Sequence, residues 1–275
     1  MIRLIGVDID GTLLDSTGQL PEANRRAIED AVAAGIHVAL VTGRSYPFAR
    51  PVADPLPDSV SLIVSNGAVE RGMDGSTRAR RLLDRQVARA VLAATLGHRH
   101  AAALIFDRDA DRQVIFETMD WEHPGRAAYW ARNRSLIAQS VPLEEALVED
   151  PIQVMFNGGV TAMRVLWEAL PRESGEFTVS LTEYVHRDFS LIDITAPEAT
   201  KGRALTWLAT RLGLSRDQVM AVGDNFNDLE MLESVGLPIV MGNAVAELRN
   251  RGWAITGHQN EAGLAEAIYR YGLRR

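Results

Sequence analysis

Short apolar runs recur along the chain, and most of them end on polar residues of a few types. Leu4-Ile5-Gly6-Val7 leads directly into Asp8-Ile9-Asp10-Gly11-Thr12. A short apolar run bounded by turn chemistry predicts a buried strand. His37 to Val41 predicts a second strand, closing on Thr42-Gly43-Arg44, and Ser61 to Ser65 a third, closing on Asn66-Gly67-Ala68. Between the first two, Pro21 to Ala34 places Ala23, Ala27, Ile28, Ala31 and Val32 on one helical face, and Gly35 caps it. Strands alternating with helical patterns imply a parallel sheet.

The middle of the chain breaks that alternation. Asp84 to Leu96 predicts a helix, and Ala103–Asp107 and Arg112–Glu117 predict a hairpin through Arg108-Asp109-Ala110-Asp111. Glu122 to Ala138 reads as a helix, Ile152 to Phe156 as a strand, Thr161 to Leu170 as a helix and Phe177 to Thr182 as a strand. This is an α+β insert with a sheet of its own, expected to be antiparallel. Alternation resumes after Leu191-Ile192-Asp193-Ile194. Thr200 is placed to cap a helix from Lys201 to Leu212 that Gly213 stops. Val219 to Val222 is a strand closing on Gly223-Asp224, Pro238 to Met241 is the last strand, and Glu261 to Tyr269 is a closing helix. The expected fold is therefore α/β: a doubly wound parallel-sheet core from residues 1–83 and 190–275, interrupted by an α+β domain over 84–189.

Composition narrows the chemistry. The 275 residues are 47% hydrophobic and 24% charged, as in a soluble globular protein. The formal charge is −7, with no basic stripe, which argues against nucleic acid as a partner. The absence of cysteine excludes disulfides, thiolate catalysis and Cys-ligated zinc. No apolar stretch approaches the ~18 residues of a membrane span, and the N-terminus enters a strand with no signal-peptide pattern, so the expected compartment is the cytoplasm. The pattern leaves monomer and small homo-oligomer equally open.

Four polar clusters fall at strand ends or helix starts of the parallel part: Asp8 with Asp10; Thr42-Gly43; Lys201; and Gly223-Asp224-Asn225-Phe226-Asn227-Asp228. In a doubly wound sheet those ends converge on one crevice. Asp8 and Asp10 are crowded carboxylates, costly to bury without a cation, and a hard divalent metal with oxygen ligands resolves the conflict. A lysine in a first helical turn runs against the helix dipole, which points to a role for Lys201. Together the clusters hold what phosphoryl transfer needs.

Asp-x-Asp-Gly-Thr, then Thr-Gly-Arg, then a Lys-Gly, then Gly-Asp-x-x-Asn-Asp, in that order, resembles the haloacid dehalogenase superfamily. The insert between the second and third motifs, and Ser65-Asn66-Gly67-Ala68, look like its Cof-type phosphatases with a C2 (IIB) cap. The resemblance implies that Asp8 is the nucleophile, forming an aspartyl-phosphate, and that Asp10 protonates the leaving oxygen and then deprotonates water. It implies Mg²⁺ on Asp8, Asp10 (through its carbonyl) and Asp224, and phosphate contacts from Ile9, Thr42, Gly43, Lys201 and Asn227. Asp228 would orient Lys201 or the metal's waters. The implied substrate is a small phosphorylated metabolite, sugar phosphates first. Residues 84–189 would cap the site and choose the leaving group, hinging near Leu83 and Leu191. Trp121, His123, Tyr129, Trp130, Glu183 and His186 are the cap's candidate contacts. For Arg44, a reach toward substrate and a surface salt bridge both stand open. Two other readings use the same residues: a phosphotransferase to an acceptor alcohol, and a catalytically idle metal- or phosphate-binding regulator.

Overall fold

The computed structural model describes residues 1–108, 111–171 and 175–273. Asp109 and Ala110 of the expected hairpin turn lie outside the described residues. The chain divides into two compact units, Met1–Arg80 with Ala199–Arg275, and Arg81–Glu198.

In chain order the strands are β1 (Leu4–Val7), β2 (His37–Val41), β3 (Ser61–Val64), β4 (Val69–Arg71) and β5 (Thr77–Arg80). Then come β6 (Ala102–Ile105), β7 (Val114–Phe116), β8 (Ile137–Gln139), β9 (Gln153–Gly158), β10 (Thr178–Tyr184) and β11 (Phe189–Thr195). The last are β12 (Val219–Gly223), β13 (Leu237–Val240) and β14 (Ala254–Ile255).

The first unit holds one eight-stranded sheet in the order β14-β13-β12-β1-β2-β3-β4-β5. Its strands are parallel from β14 to β3, and β4 and β5 add an antiparallel edge that the apolar pattern did not announce. The reason is visible in β5, Thr-Arg-Ala-Arg, which is largely exposed and has no apolar face to read. One face of the sheet packs Leu4, Ala39, Val41, Ile63 and Ala221 against Ala204, Leu205 and Leu208 of the helix Lys201–Arg211 and Met231 and Leu232 of the helix Leu229–Ser234. The helices Glu22–Ala33 and Gly263–Ala267 pack together with Ala27, Ile28, Ala31 and Leu264 fully buried. A leucine or isoleucine side chain removed from water contributes about 1.5–3 kcal/mol, and an alanine methyl about 0.8 kcal/mol.

The second unit holds a six-stranded sheet in the order β10-β11-β9-β6-β7-β8. Four of its five pairings are antiparallel, and β7 with β8 is parallel, so the sheet is mixed at that edge. Two readings need correction. The segment Glu122–Ala138 is not one helix: the helix Pro124–Asn133 ends before Ile137, and Ile137–Gln139 becomes β8. Nor does the chain return to the first unit at residue 190. Strand β11 pairs antiparallel with β9 and β10, and the change of unit falls at Ala199. Leu191 therefore sits inside a strand and cannot act as a hinge. The apolar run Leu191–Ile194 looks the same whether its hydrogen bonds go to a parallel or an antiparallel neighbour, which is why the pattern misplaced it. Among the described residues no helix is long and apolar enough to cross a membrane.

Candidate active site

Strands β12, β1, β2 and β3 are adjacent and parallel, so their carboxyl ends share one edge of the sheet. Asp8, Thr42, Ser65 and Asp224 are each the first residue beyond one of these strands. The wide turn after Asp8 is closed by Leu13 and Leu14 amides donating to the Asp8 and Ile9 carbonyls, at 3.2 and 3.0 Å. Gly11 sits in that turn at φ +88°, and a Cβ there would lie 2.2 Å from Asp224 Oδ2. Gly11→Ala is thus expected to cost roughly 2–5 kcal/mol, adding left-handed strain to a clash. Urea denaturation checks it, and the displaced Asp224 should weaken divalent-cation binding in the same variant.

Lys201 opens its helix from inside the site. The Thr200 hydroxyl accepts the Arg203 amide at 3.1 Å and caps the helix. The Lys201 side chain is buried, and its Nζ donates to Asp8 Oδ1 and to Asp228 Oδ1, both at 2.6 Å. Asp228 is fully buried, and its Oδ2 accepts the backbone amides of Asp224 and Asn225 at 2.9 and 3.0 Å. Asp8 Oδ2 accepts no hydrogen bond among the described residues, so one oxygen of the carboxylate is left to react or to coordinate. Burial, then the nearby Asp228, push the Asp8 carboxyl up to about 8, against the pull of Lys201. Asp224 is held well above the usual carboxylate range, by burial first and then by Asp8 and Asp228. Burial alone would lower Lys201, but Asp228 and Asp8 reverse it and raise the ammonium above its ordinary value.

Thr42 and Gly43 stand beside this cluster. Thr42 is buried, and its hydroxyl oxygen accepts the Arg44 amide at 3.1 Å, which leaves its O–H to donate. Ser65, Asn66 and Gly67 all have positive φ, and the Ser65 and Asn66 amides tie the turn to the Arg44 and Thr42 carbonyls at 2.8 and 2.9 Å. The Asn227 amide donates to Asn66 Oδ1 at 3.4 Å, which brings Asn227 to the Thr42 side. The Ile9 side chain is fully buried, so only its backbone can face a ligand. Asp10 is not one of the three clustered carboxylates and pairs with Arg44, whose Nε and Nη2 donate to its two oxygens at 2.7 and 2.6 Å.

Three residues here were given no role of their own by the sequence. The Thr12 hydroxyl donates to Asp224 Oδ1 at 3.4 Å. Asn243 Nδ2 donates to the Gly11 carbonyl at 2.8 Å, and its Oδ1 accepts the Gln259 amide at 2.8 Å. Asn243 reads only as a turn residue after β13, and nothing local says that it buttresses Gly11 from 232 residues away. Asn66, seen only as part of a segment, links Asn227 to Thr42 through its side-chain oxygen and its amide, with its backbone in the left-handed region that asparagine tolerates.

The carboxylates fit a hard cation. One oxygen each of Asp8, Asp224 and Asp228 lies within 4.8 Å of the others, and all three residues are buried. Three carboxylates face the single ammonium of Lys201, an excess of negative charge that one divalent ion would cancel. The donors are all oxygen, as Mg²⁺ or Ca²⁺ prefers. Asp228 already accepts from Lys201 and two amides, which leaves Asp8 and Asp224 as the freer pair.

The sequence profile of the haloacid dehalogenase-like hydrolases matches residues 5–268. The chain is 28% identical over 279 residues to the chloroplastic endoribonuclease YBEY of Arabidopsis thaliana, which is 96% of this chain but 45% of that protein, so it spans less than half of that relative's length. It is 26% identical over 286 residues to phosphatase YwpJ of Bacillus subtilis, covering 97% of this chain and 99% of that one. Its fold matches the structure of the HAD subclass IIB sugar phosphatase BT4131 with TM-score 0.76 and 20% identity, over 99% of this chain and 100% of that one. With the profile running from the first strand of the core to its closing helix, the chain belongs to the haloacid dehalogenase-like hydrolases.

Proposed function

We propose that this hydrolase is a Mg²⁺-dependent phosphatase of a small phosphorylated metabolite, acting through an aspartyl-phosphate on Asp8. The observation that carries the reading is the Lys201 ammonium, buried and bonded at 2.6 Å to one oxygen of Asp8 while the other oxygen stays free. Sugar phosphates are the first choice of substrate, supported by the resemblance of the motifs and by the fold shared with a sugar phosphatase. Selection of the leaving group is assigned to the inserted unit, because the core residues named above would grip only the phosphate.

Asp8, the Asp10 carbonyl and Asp224 would hold Mg²⁺. When bound, the ion offsets the charge of the phosphate oxygens and of Asp8. Asp8 Oδ2 attacks phosphorus, and the bond from phosphorus to the leaving oxygen breaks. Asp10 gives its proton to that oxygen and then takes one from the water that attacks the aspartyl-phosphate, which regenerates Asp8 and releases phosphate. Lys201 holds Asp8 in place and screens the developing charge, and Asp228 fixes Lys201. The Thr42 hydroxyl, the Gly43 and Ile9 amides and the second N–H of Asn227 supply donors for the phosphate oxygens.

The test is phosphate release from a panel of phosphomonoesters, with Mg²⁺ and with chelator. Turnover that requires the metal supports the reading. Phosphate binding without turnover would replace it with an idle binder, and stimulation by added alcohols would replace it with a phosphotransferase. The raised carboxyls add a second expectation. Mg²⁺ must displace protons from Asp8 and Asp224, so binding at pH 7 should release protons, close to one from Asp8 alone, and affinity should climb as pH rises toward the Asp8 value of about 8. Calorimetric titration in buffers of different ionisation enthalpy measures the protons directly.

A further inference from the structure

The hydroxyl of Ser65 stands on the same edge of the sheet as the carboxylates and takes no part in the chemistry above. Ser65 is the first residue beyond β3, as Asp8 and Thr42 are beyond β1 and β2. It is 1% exposed, the same as Thr42, yet its Oγ makes no hydrogen bond among the described residues. A buried hydroxyl without a partner is unfavourable. The backbone adds a second unfavourable feature: φ is +51°, in the left-handed region that serine, unlike glycine, rarely adopts. Hydrogen bonds to the neighbouring loop hold it there. The Ser65 amide donates to the Arg44 carbonyl at 2.8 Å, and the Asn66 amide to the Thr42 carbonyl at 2.9 Å. The turn is thus fastened to the loop that carries the Thr42 and Gly43 donors. An alanine would avoid the first penalty and a glycine both. Backbone strain of this kind persists where the surroundings over-determine it, and it clusters at ligand sites.

We propose that Ser65 is a specificity-determining residue whose hydroxyl binds a hydroxyl of the leaving group, which makes the leaving group a polyol or a sugar. The inference rests on the phosphatase reading and narrows it. Strand order fixes the position. Strands β1, β2 and β3 are consecutive, with neighbours about 4.8 Å apart, so Ser65 lies one strand further from Asp8 than Thr42 does. The phosphoryl oxygens already have Thr42, Gly43, Ile9 and Asn227 as donors, which leaves Ser65 to the part of the ester beyond phosphorus. A hydroxyl is the group that fits, because Ser65 Oγ both donates and accepts, and so does an alcohol. An alkyl chain would leave the Ser65 hydroxyl as unpaired in the complex as it is without substrate. A site built to bond a substrate hydroxyl discriminates against the analogue that lacks it. Ser65 would thereby add one contact from the core to the selection assigned to the inserted unit.

The test compares esters that differ only in hydroxyls: glycerol phosphate against n-propyl phosphate, and sorbitol phosphate against n-hexyl phosphate. Phosphate release is measured for the native chain, Ser65→Ala and Ser65→Gly, with thermal melting of each in the absence of substrate. The native chain should prefer the hydroxylated member of at least one pair. In both variants that preference, taken as a ratio of kcat/KM values, should fall about threefold to tenfold, as loss of one net hydrogen bond dictates. Melting should stay at or above the native temperature, because alanine removes an unpaired hydroxyl and glycine also relieves the left-handed backbone. A ratio that does not fall, with both esters slowed together or neither slowed, would overturn the proposal, since Ser65 would then read nothing in the leaving group. Melting well below the native temperature in both variants would overturn it in favour of a hydroxyl that holds the turn. A native chain without the preference, or one that turns over neither pair while releasing phosphate from other esters, would overturn it by excluding a polyol leaving group. If the native chain turns over no phosphomonoester at all, the phosphatase reading falls and takes this inference with it, an outcome distinct from the others.

Discussion

Asp8→Asn should fold and yet release phosphate at least about 10³-fold more slowly than the native chain. The amide has no carboxylate oxygen to form the acyl phosphate, and the residual rate would come from binding and electrostatics alone. Folding is expected to survive because Lys201 keeps its bond to Asp228, so the buried ammonium stays paired. Stability without metal should even gain at high pH. The Asp8 carboxyl is raised in the folded state from about 3.8 to about 8, so the native fold holds that proton more tightly than the unfolded chain does. The stabilisation this gives is complete below about pH 3.8 and is lost as pH rises toward 8. An asparagine has no such proton to lose. Chelator-treated Asp8→Asn should therefore show a flatter pH dependence of melting than the native chain, with its relative gain largest near pH 8–9. Turnover near the native rate would mean that Asp8 only binds metal and that water attacks phosphorus directly.

Lys201→Ala should be both inactive and unstable. Its side chain lies buried between Asp8 and Asp228, and its loss leaves two buried carboxylates without a counter-charge. Breaking a buried pair in this way costs about 3–5 kcal/mol. In a chain of this size that corresponds to a fall in melting temperature of roughly 10 °C. The lysine is raised above its ordinary value in the folded state. Its contribution is thus complete at all pH values below the unfolded lysine's own and fades only in strong alkali. The deficit of the variant should still depend on pH, through its partners. Without the pull of Lys201 the Asp8 carboxyl should keep its proton to higher pH than in the native chain, where it is raised to about 8, and the proton removes one of the two uncompensated charges, so the loss measured by urea denaturation should be smaller at pH 5 than at pH 9. A variant equally stable at both pH values, and close to the native chain, would show that solvent reaches the carboxylates and that the pair carries little.

Both predictions depend on contacts between residues far apart in the chain, 193 positions for Lys201 with Asp8. The residue types were legible. Asp8, Thr42 and Asp224 stand directly after apolar runs, and parallel strands put such positions on one edge whatever the details of packing. Lys201 was legible because it occupies a helix start that disfavours cations. The parallel core was legible for a similar reason: a strand buried on both faces has to be continuously apolar, and a helix over it has to repeat every three to four residues.

Tertiary structure alone decided the pairings. Periodicity records which residues avoid water but not which neighbour receives a strand's hydrogen bonds, so β11 went to the wrong unit and the exposed β5 was not seen at all. The same limit applies at the site. The chain order of Asp10 and Arg44 leaves a substrate contact and a salt bridge equally open, and only the folded backbone turns the guanidinium onto both oxygens of Asp10. Asn243 supports Gly11, and Asn66 joins Asn227 to the Thr42 loop, through side-chain directions set by turns that carry no apolar pattern. The sequence by itself thus determined the core's fold class and the chemical types gathered at its edge, because both follow from local periodicity and strand ends. Which oxygen meets which nitrogen was left to packing, because hydrogen-bond direction depends on where distant segments come to rest.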